Sequence, residues 1–509
     1  MECITAIDQG TQSTRVLIFD QHARVVAKHQ VEFQQINPQS GWTEHDPSVI
    51  WESVQTCIKE AVAAATASAG SIHVKAVGIT NQRETTLVWD RRTGKPLCNA
   101  IVWLDNRTSA ICRRWETELG SRDHFRPVTG LPISTYFSAY KFQWMLENVP
   151  EVAAAVQEDR CVLGTVDTWL IYNLTGGVDG GVLVTDVTNA ARTNLMDLHS
   201  LSWHEPTMAL FGVQRSMLAD IRSNAEVYGT VKVGPLAGVP IAGCLGDQQA
   251  AMLGQRCKPG EAKNTYGTGS FIVMNTGTEV VESKQGLLTT MAYHLGPRSP
   301  PQYALEGSIA IAGAGISWLR DKLNILESAA ECEELAASVP DTAGVYFVPA
   351  FSGLLAPHWR PDARGALLGM TTYTSRAHVV RAMLEAICWQ TREVMDAMRS
   401  DADLTNLKLL RVDGGASVNN LFMQLQADIL QVPVQRPGHL ETTCLGAAYA
   451  AGIGVGFWTQ DWVLDDSRKQ AEPNTDFLPS VSQGDADRRY QCWKFAVQRS
   501  FDLDRLAQP

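Results

Sequence analysis

Residues 4–20 set the architecture of this chain, and they read Ile4-Thr5-Ala6-Ile7-Asp8-Gln9-Gly10-Thr11-Gln12-Ser13-Thr14-Arg15-Val16-Leu17-Ile18-Phe19-Asp20. An apolar strand ends at Asp8, a turn rich in hydroxyl groups follows, and a second apolar strand leaves the turn. The backbone N–H groups and hydroxyls of such a turn, together with Arg15, suit an anion, and Asp8 is placed to hold a metal ion beside it. The same residue types also form ordinary β-hairpins, so the turn alone leaves both interpretations open.

Length and composition describe a globular protein of two large domains. The chain has 509 residues, more than one hydrophobic core accommodates, and its 45% apolar and 19% charged residues are ordinary proportions. No apolar run approaches the roughly 20 residues that cross a bilayer. We therefore do not expect membrane insertion. The net charge of −11 argues against a nucleic-acid-binding surface, so we do not expect nucleic-acid binding either.

The chain ends and the cysteines predict a cytoplasmic protein with reduced thiols. Residues 1–3 offer neither the basic nor the apolar region of a secretory signal, and residues 507–509 do not form a peroxisomal signal. Eleven cysteines are dispersed from Cys3 to Cys492 without a Cys-x-x-Cys pair. We therefore expect neither a disulfide framework nor a zinc site.

The N-terminal half alternates short strands with helices. A helix is predicted from Asp46 and Pro47 onward, as its cap and first residue, because apolar residues recur at helical spacing as far as Ala65. The polar segment 81–84 lies between two predicted strands, where its side chains would be presented by a buried scaffold. Apolar and β-branched runs predict strands over residues 4–7, 16–19, 25–30, 74–80 and 86–89.

A second cycle begins near Gly246. Strands predicted over residues 264–266 and 271–275 enclose a turn at residues 267–270, which repeats the arrangement of the first hairpin. A further apolar strand from Leu409 ends at Gly414-Gly415, and the next helix is expected to start at Asn419 or Asn420.

This weak internal symmetry predicts two related α/β domains with mixed sheets that face one cleft. We expect an N-terminal domain over residues 1–254 and a C-terminal domain over residues 255–509, with the boundary between Gly254 and Gly260. The tail after Asp461 is more polar, and we expect it to be a peripheral segment.

Two turns, one in each half, are candidates for binding phosphate. The sequence lacks the Gly-x-x-x-x-Gly-Lys-Ser/Thr motif and the His-Arg-Asp and Asp-Phe-Gly motifs of protein kinases. The turns at residues 10–13 and 267–269 both combine glycine with hydroxyl groups, and two such turns on opposite walls would clamp a triphosphate. Arg15 would be the cation beside the first turn, although it suits a surface strand equally well.

Taken together, these motifs resemble the sugar-kinase, actin and Hsp70 superfamily. Within it, Asp-Gln-Gly-Thr-x-Ser-x-Arg resembles the FGGY carbohydrate kinases, and residues 81–86 and 246–250 resemble the branch of that family that acts on glycerol. Residues 136–144 and 365–385 resemble the two family signatures, and the likeness runs from residue 4 to near residue 455. The resemblance implies two ribonuclease H-like α/β domains that flank an active-site cleft.

The resemblance implies ATP and Mg²⁺ as cofactors. Asp8 is expected to hold Mg²⁺ mainly through water, and Asp247 to share that hydration shell. Ser317 stands where bacterial members of the family carry Gln, so this chain departs from the family pattern at that contact. The residues expected to contact the nucleotide are Thr11, Gln12, Ser13, Arg15, Gly267, Thr268, Gly313, Ser317, Gly415 and Asn419.

The implied acceptor, glycerol, needs hydrogen-bond donors and acceptors at fixed positions and a close apolar wall. Arg83 and Glu84 offer a five-donor fork and a carboxylate, although an internal ion-pair network would use the same two residues. Trp103 and Phe271 are candidates for the wall, and the Tyr136 hydroxyl for a substrate contact. Each of these aromatic residues would also suit an ordinary packing role.

Asp247 is the expected general base. It follows the apolar run 241–246, at the carboxyl end of a strand where open α/β sheets expose catalytic side chains. A cap for a helix over residues 248–253 is a compatible structural role, and Gln248 is expected to orient another glycerol hydroxyl. The implied reaction is direct in-line transfer of the ATP γ-phosphoryl group to glycerol, giving sn-glycerol 3-phosphate for catabolism and glycerolipid synthesis.

Two other functions are consistent with parts of the sequence. An FGGY kinase for another polyol or ketose would share most motifs, but Arg83-Glu84 with Trp103 and Tyr136 favours glycerol. A non-catalytic ATP-driven clamp of the actin or Hsp70 type would have no use for Arg83-Glu84. We also expect the chain to form a homodimer or a larger homo-oligomer.

Overall fold

The structure is a computed structural model that describes residues 1–351, 353–403, 407–465 and 473–507. It contains two halves, each built around a large mixed β-sheet with helices against it, which confirms the predicted α/β class.

The first half, up to Gly254, contains fourteen strands and nine α-helices. Its strands are β1 (Glu2–Gln9), β2 (Ser13–Asp20), β3 (Val25–Glu32), β4 (Glu44–His45), β5 (His73–Asn81), β6 (Thr86–Asp90), β7 (Ala100–Ile101), β8 (Cys161–Thr165), β9 (Val184–Asp186), β10 (Met196–Asp197), β11 (Ser202–Trp203), β12 (Asp220–Arg222), β13 (Gly229–Thr230) and β14 (Pro240–Gly246). Its helices are α1 (Pro47–Ala69), α2 (Ser109–Leu119), α3 (Arg126–Thr129), α4 (Ser138–Asn148), α5 (Pro150–Gln157), α6 (Val166–Leu174), α7 (Val187–Ala190), α8 (Glu205–Leu210) and α9 (Asp247–Gly254).

The first hairpin and the first helix form where the sequence predicts them. β1 pairs with β2 antiparallel, and the Gly10 N–H donates to the Ser13 carbonyl at 2.9 Å to close the turn. α1 begins at Pro47, and the Asp46 carboxylate accepts from the Ser48 N–H at 2.8 Å. The sheet order is β13-β14-β5-β1-β2-β3, and a separate four-stranded sheet has the order β4-β7-β6-β8.

The second half contains β15–β23 and α10–α16. Its strands are β15 (Ala262–Tyr266), β16 (Ser270–Gly277), β17 (Leu288–Tyr293), β18 (Gln302–Ile309), β19 (Tyr346–Val348), β20 (Ala366–Leu368), β21 (Leu410–Asp413), β22 (Val434–Arg436) and β23 (Thr475–Phe477). Its helices are α10 (Gly313–Asp321), α11 (Glu331–Ala337), α12 (Arg376–Asp401), α13 (Asn420–Leu430), α14 (Thr442–Gly454), α15 (Gln460–Leu464) and α16 (Gln483–Gln498).

The two large sheets repeat one arrangement. The second has the order β17-β18-β16-β15-β21-β22-β23. In each sheet one strand, β1 or β15, has an antiparallel hairpin partner on one side and a parallel strand on the other, β5 or β21 respectively. This match confirms the internal symmetry expected from the sequence.

Helix α14 belongs to the second half but packs against the first. It lies against α9, β5 and β14 at very short range. A Cβ atom at Gly446 would lie 1.8 Å from the Ala250 carbonyl oxygen, so only glycine permits this approach. The two halves are therefore in direct backbone contact beside the strand that precedes Asp247.

The C-terminal tail is not peripheral, which corrects the expectation for residues after Asp461. β23 extends the second sheet beside β22, and Trp493 of α16 is fully buried in the core of that half. Tyr490 stacks on Trp389 with ring centroids 6.0 Å apart. The tail is polar on average, but α16 has one apolar face, which average composition does not reveal. Residues 466–472 of the tail lie outside the described part of the chain.

The cysteines and the longest helices are also subjects of sequence-based expectations. All eleven cysteines are free thiols, and nine of them are buried. In the described part of the chain, no helix combines the length and the apolar character required to cross a membrane.

Candidate functional site

The residues singled out in the sequence meet at the junction of the two halves. Four of the predicted side chains from the first half each contact a side chain of the second. The contacts are Arg15 with Glu441, Trp103 with Phe271, Arg83 with Glu306, and Gln248 with Lys263. A site at this junction takes groups from both halves.

The first candidate phosphate turn is held by hydrogen bonds from two neighbouring side chains. The Gln82 side-chain amide donates to the Gly10 carbonyl at 3.0 Å, and the Trp103 indole N–H donates to the Thr11 hydroxyl at 2.9 Å. Thr11 and Ser13 are half-buried and Gln12 is exposed. The turn is thus rigid at its base and open at its tip.

Asp8 and Arg15 face each other at the ends of β1 and β2. Asp8 is buried, with Arg15 Nε 3.9 Å from its carboxylate, and Arg15 Nη1 donates to Glu441 at 2.9 Å. Burial raises the pKa of Asp8 to about 6; Arg15 opposes this shift, and the negative charges of Asp247 and Glu441 add to it. Asp8 and Asp247 are thus two carboxylates of like charge near the first candidate phosphate turn. Their oxygen atoms are the kind of ligand that Mg²⁺ prefers.

Asp247 lies at the start of α9. The helix begins at Asp247 itself, so this residue is the first helical residue and Gly246 is the cap. Its Oδ1 accepts from the Gln248 N–H at 2.8 Å and lies 3.2 Å from Arg83 Nε, and its side chain is 31% exposed. Burial raises the pKa of Asp247, while Arg83 and Lys263 oppose the shift. The carboxylate is anchored on one oxygen and remains partly exposed.

Arg83 does not present a free fork, contrary to the expectation of a guanidinium devoted to substrate. Its Nη1 and Nη2 donate to the two oxygens of Glu306 at 2.7 and 2.8 Å, a bidentate pair in which both residues are buried. Burial raises the pKa of Glu306, but Arg192 and Arg83 outweigh it and lower that pKa to about 2. The edge of Arg83 that carries Nε faces Asp247.

Glu84 is held by a buried arginine and a strained backbone. Its Oε1 accepts from Arg192 Nε at 2.5 Å, and its φ of 57° lies in the left-handed region that non-glycine residues rarely adopt. Burial raises the pKa of Glu84, which Arg192 and then Arg83 oppose. The expected alternative of an ion-pair network is therefore present, and the expected substrate residues are embedded in it.

The three candidate aromatic residues form one half-buried lining. The Trp103 ring centroid lies 5.6 Å from that of Tyr136 and 5.7 Å from that of Phe271, both in edge-on contact. The Arg192 guanidinium lies 5.3 Å from the Tyr136 ring centroid. None of the three is fully buried, so together they face an opening instead of filling the core.

The second candidate phosphate turn is joined to α10. The Gly313 N–H donates to the Gly267 carbonyl at 3.0 Å, and the Ala314 N–H donates to the Thr268 carbonyl at 3.0 Å. A Cβ atom at Gly313 would lie 2.6 Å from the Gly267 oxygen. Ser317 follows one helical turn later and is half-buried, so the sequence-predicted residues Gly267, Thr268, Gly313 and Ser317 lie together.

The two neighbouring glycines at the end of β21 have different roles. Gly414 has a φ of 87°, and a Cβ there would lie 2.4 Å from the Tyr266 carbonyl oxygen. A Cβ at Gly415 would have no described atom within 4 Å, so Gly415 borders open space. Asn419 caps α13, because its Oδ1 accepts from the Phe422 N–H at 2.8 Å. The expected helix start is confirmed.

Sequence reasoning missed the charged partners that hold the site together. Glu306 and Lys263 are fully buried within strands, and Arg192 is fully buried after α7. The sequence gives only a general signal for them, because a charge on an element that packs into the core requires a partner, whose identity the sequence does not show. Glu441 carries no comparable signal, since it lies in a polar segment before α14.

Comparisons with known proteins show which family the chain belongs to. The profile of the FGGY family of carbohydrate kinases, N-terminal domain, matches residues 3–254, and that of the C-terminal domain matches residues 262–455. Glycerol kinase of Arabidopsis thaliana is 54% identical over 515 residues, which cover 99% of this chain and 98% of that protein. The chain belongs to the glycerol kinases of the FGGY family. Glycerol kinase of Clavibacter michiganensis is 53% identical, with 98% of each chain covered.

Solved structures of the FGGY family give the same result. The crystal structure of Plasmodium falciparum glycerol kinase with ADP is similar at a TM-score of 0.92 and 40% identity, with 98% of each chain covered. Xylulose kinase from Lactobacillus acidophilus is similar at a TM-score of 0.82 and 21% identity, covering 100% of this chain and 99% of that one. The latter likeness bears on the fold alone.

Proposed function

We propose that this chain transfers the γ-phosphoryl group of ATP to glycerol and releases ADP and sn-glycerol 3-phosphate. The observation that carries the proposal is the position of Asp247. Its partly exposed carboxylate lies against Arg83 at the junction of the two halves, in a chain whose full-length relatives are glycerol kinases. The reaction would serve glycerol catabolism and the supply of glycerolipid precursors.

The two turns would hold the triphosphate from opposite walls. In both turns, backbone N–H groups and hydroxyls would donate hydrogen bonds to the phosphate groups. Arg15 would add a positive charge, which Glu441 neutralises in the absence of phosphate. The open space at Gly415 supports a nucleoside at that edge. The residues proposed for ATP are Thr11, Gln12, Ser13, Arg15, Gly267, Thr268, Gly313, Ser317, Gly415 and Asn419.

Asp8 and Asp247 would hold Mg²⁺ through water. Burial raises the pKa of Asp8, and the negative charges of Asp247 and Glu441 add to the shift; a divalent cation would offset both. When bound, Mg²⁺ supplies neutralisation of the phosphate charge.

Arg83, Glu84, Tyr136 and Gln248 would bind the hydroxyls of glycerol, with Trp103 and Phe271 against its carbon chain. The bidentate pair with Glu306 fixes the orientation of Arg83 beside Asp247, so the guanidinium is pre-organised where the substrate would bind. Glu84 is likewise fixed by Arg192. A site of this rigidity suits a small polyol whose hydroxyls must match fixed groups.

Asp247 would act as the general base. Its Oδ1 is engaged by the Gln248 N–H and by Arg83, which leaves Oδ2 for the terminal hydroxyl of glycerol. The hydroxyl oxygen attacks the γ-phosphorus as its proton passes to Asp247, and closure of the two halves would exclude water as a competing acceptor.

The decisive experiment measures ADP formation with and without glycerol, beside xylulose, ribulose and gluconate at equal concentration. Glycerol should stimulate turnover far more than the other three, and the product should carry phosphate on a primary carbon. Equal ADP release with and without glycerol would exclude the proposed reaction. Preferential stimulation by a ketose would establish the alternative, an FGGY kinase for another acceptor.

We also propose a cellular compartment and an oligomeric state for the protein. Eleven free thiols support a reducing compartment, and we propose the cytoplasm. We propose a homodimer or larger homo-oligomer, which light scattering of the purified protein would test.

A further inference from the structure

We infer that Lys263, a residue of the second half, is a positioning residue that fixes the side-chain amide of Gln248 as a hydrogen-bond donor toward the acceptor alcohol. The inference rests on the proposed function, because it concerns the site assigned there to glycerol. No motif of the sequence points to Lys263, and no step of the proposed mechanism uses it.

Lys263 lies on β15 and is completely buried. Its ammonium group donates to Gln248 Oε1, across the junction of the two halves, and to Thr265 Oγ1 at 2.9 Å. Thr265 is two residues along the same strand and therefore on the same face of the sheet. These two contacts hold the end of the lysine side chain in place beside α9.

The chemistry of the ammonium group decides which end of the Gln248 amide it contacts. An amide in isolation can be turned either way, since its oxygen and nitrogen have nearly the same shape. A protonated lysine has donors only, so the atom that it contacts must be the oxygen. Burial lowers the pKa of Lys263 to about 8, opposed by Asp413 and Asp247, so the ammonium form still dominates at neutral pH. The Gln248 Nε2 group, with two donors, then faces away from Lys263.

The adjacent side chains of Asp247 and Gln248 thus offer opposite hydrogen-bonding groups, an acceptor and a donor. Asp247 in its ionised form only accepts, and Gln248 in this orientation only donates. A polyol satisfies both, because each of its hydroxyl groups carries one donor and two lone pairs. A protonated amine has no lone pair for Gln248, and a carbonyl has no proton for Asp247, so the pair selects hydroxyl groups.

The position of Lys263 along its strand connects this selection to the phosphate turn. Gly267 follows four residues later, immediately after the end of β15. The strand that ends in the second candidate phosphate turn therefore also carries the group that orients the acceptor site. A displaced strand would misalign both sites together.

The test is a double-mutant cycle between Lys263→Met and Gln248→Leu. Methionine keeps the length and volume of the buried side chain, so the fold should survive. Each single variant should raise the KM for glycerol about tenfold, the equivalent of one ordinary hydrogen bond, with the ATPase rate in the absence of glycerol unchanged in Lys263→Met. Lys263→Met should add nothing in the Gln248→Leu background, because both variants remove the same contact.

Two further variants provide controls. Lys263→Arg keeps a charged donor and should restore most of the affinity, whereas Thr265→Val removes the other partner of the ammonium group and should leave the KM within about twofold. An unchanged KM in Lys263→Met, additive effects in the cycle, or a KM in Lys263→Arg as high as in Lys263→Met would each overturn the inference. Wild-type protein that glycerol does not stimulate would instead overturn the proposed function, and the inference with it.

Discussion

Arg83 Nε lies 3.2 Å from Asp247 Oδ1, while the other two nitrogens of the same guanidinium bind Glu306. One arginine therefore connects the candidate base to a fully buried carboxylate of the second half. This relationship gives Arg83 a structural role at the junction of the halves, which experiments can separate from its proposed role in binding the acceptor.

Replacing Arg83 by Met should reduce both stability and glycerol affinity. Removal of one partner of a buried ion pair typically costs about 3–5 kcal/mol, because the other charge is left without compensation. The double variant Arg83→Met/Glu306→Gln leaves no such charge, so its melting temperature should recover while its KM for glycerol stays high. Recovery of both quantities in the double variant would show that Arg83 has only the structural role.

Gly414 and Gly415 should respond differently to alanine. Gly415→Ala places a methyl group in open space, so the fold should be unchanged and the KM for ATP should rise, since the methyl group occupies the proposed nucleotide edge. Gly414→Ala would bring Cβ to 2.4 Å from the Tyr266 oxygen at a φ of 87°, and it should unfold or precipitate. Melting curves and ATP titrations of both variants test this contrast, and unaltered ATP use in a folded Gly415→Ala protein would contradict it.

Asp8→Asn should stabilise the protein at neutral pH when Mg²⁺ and nucleotide are removed. The pKa of Asp8 is about 6 in the folded state, above its ordinary value of 3.8, so its contribution to stability is fully present below pH 3.8 and is lost as pH rises toward 6. The stability difference between Asp8→Asn and wild type should therefore grow over this range by up to about 3 kcal/mol and then level off.

Urea denaturation in EDTA at several pH values measures that difference. Asp20→Asn is the control of opposite sign. Burial raises the pKa of Asp20, but its hydrogen bonds with Arg24 and His22 lower it below the ordinary value overall. Asp20→Asn should therefore lose stability relative to wild type as pH rises toward 3.8, and its difference from wild type should stay constant between pH 3.8 and 6. A pH-independent difference for Asp8→Asn would show that its carboxylate carries no such penalty.

Local chemistry explains why the sequence predicted the hairpins and caps. The Asp46-Pro47 helix start, the Asn419 cap and the two glycine turns each depend on residues within a few positions of one another. The position of Trp103 against Thr11 follows less directly, and only the family resemblance placed it at the site.

The charged partners could not be predicted because they depend on contacts between the halves. Glu306 follows Arg83 by 223 residues, and Lys263 meets Gln248 only where β15 comes to lie beside α9. A buried charge indicates that a partner exists, but its identity requires the packing of both sheets. The tail illustrates the same limit, since Trp493 completes a core most of whose members lie far away in the sequence.

Asp247→Asn should preserve the fold and most substrate binding while it reduces turnover about 10²–10⁴-fold, the usual effect of removing a general base. Asparagine retains an Oδ1 that can accept from the Gln248 N–H and face Arg83, so both anchoring contacts survive. It cannot take up the proton of the attacking hydroxyl. The same variant weakens the proposed hydration contact to Mg²⁺, so turnover should be measured over a range of Mg²⁺ concentrations.

Three measurements on one preparation make this prediction decisive: turnover, a melting curve and a glycerol-binding titration. Asp485→Asn is a matched control, since Asp485 also lies in the first turn of a helix but in α16. It should keep wild-type turnover. If Mg²⁺ at saturation restores the rate of Asp247→Asn, the residue acts through the metal and not as the base. Near-normal turnover at every Mg²⁺ concentration in a folded protein would exclude both roles and leave Asp247 as a helix-start residue alone.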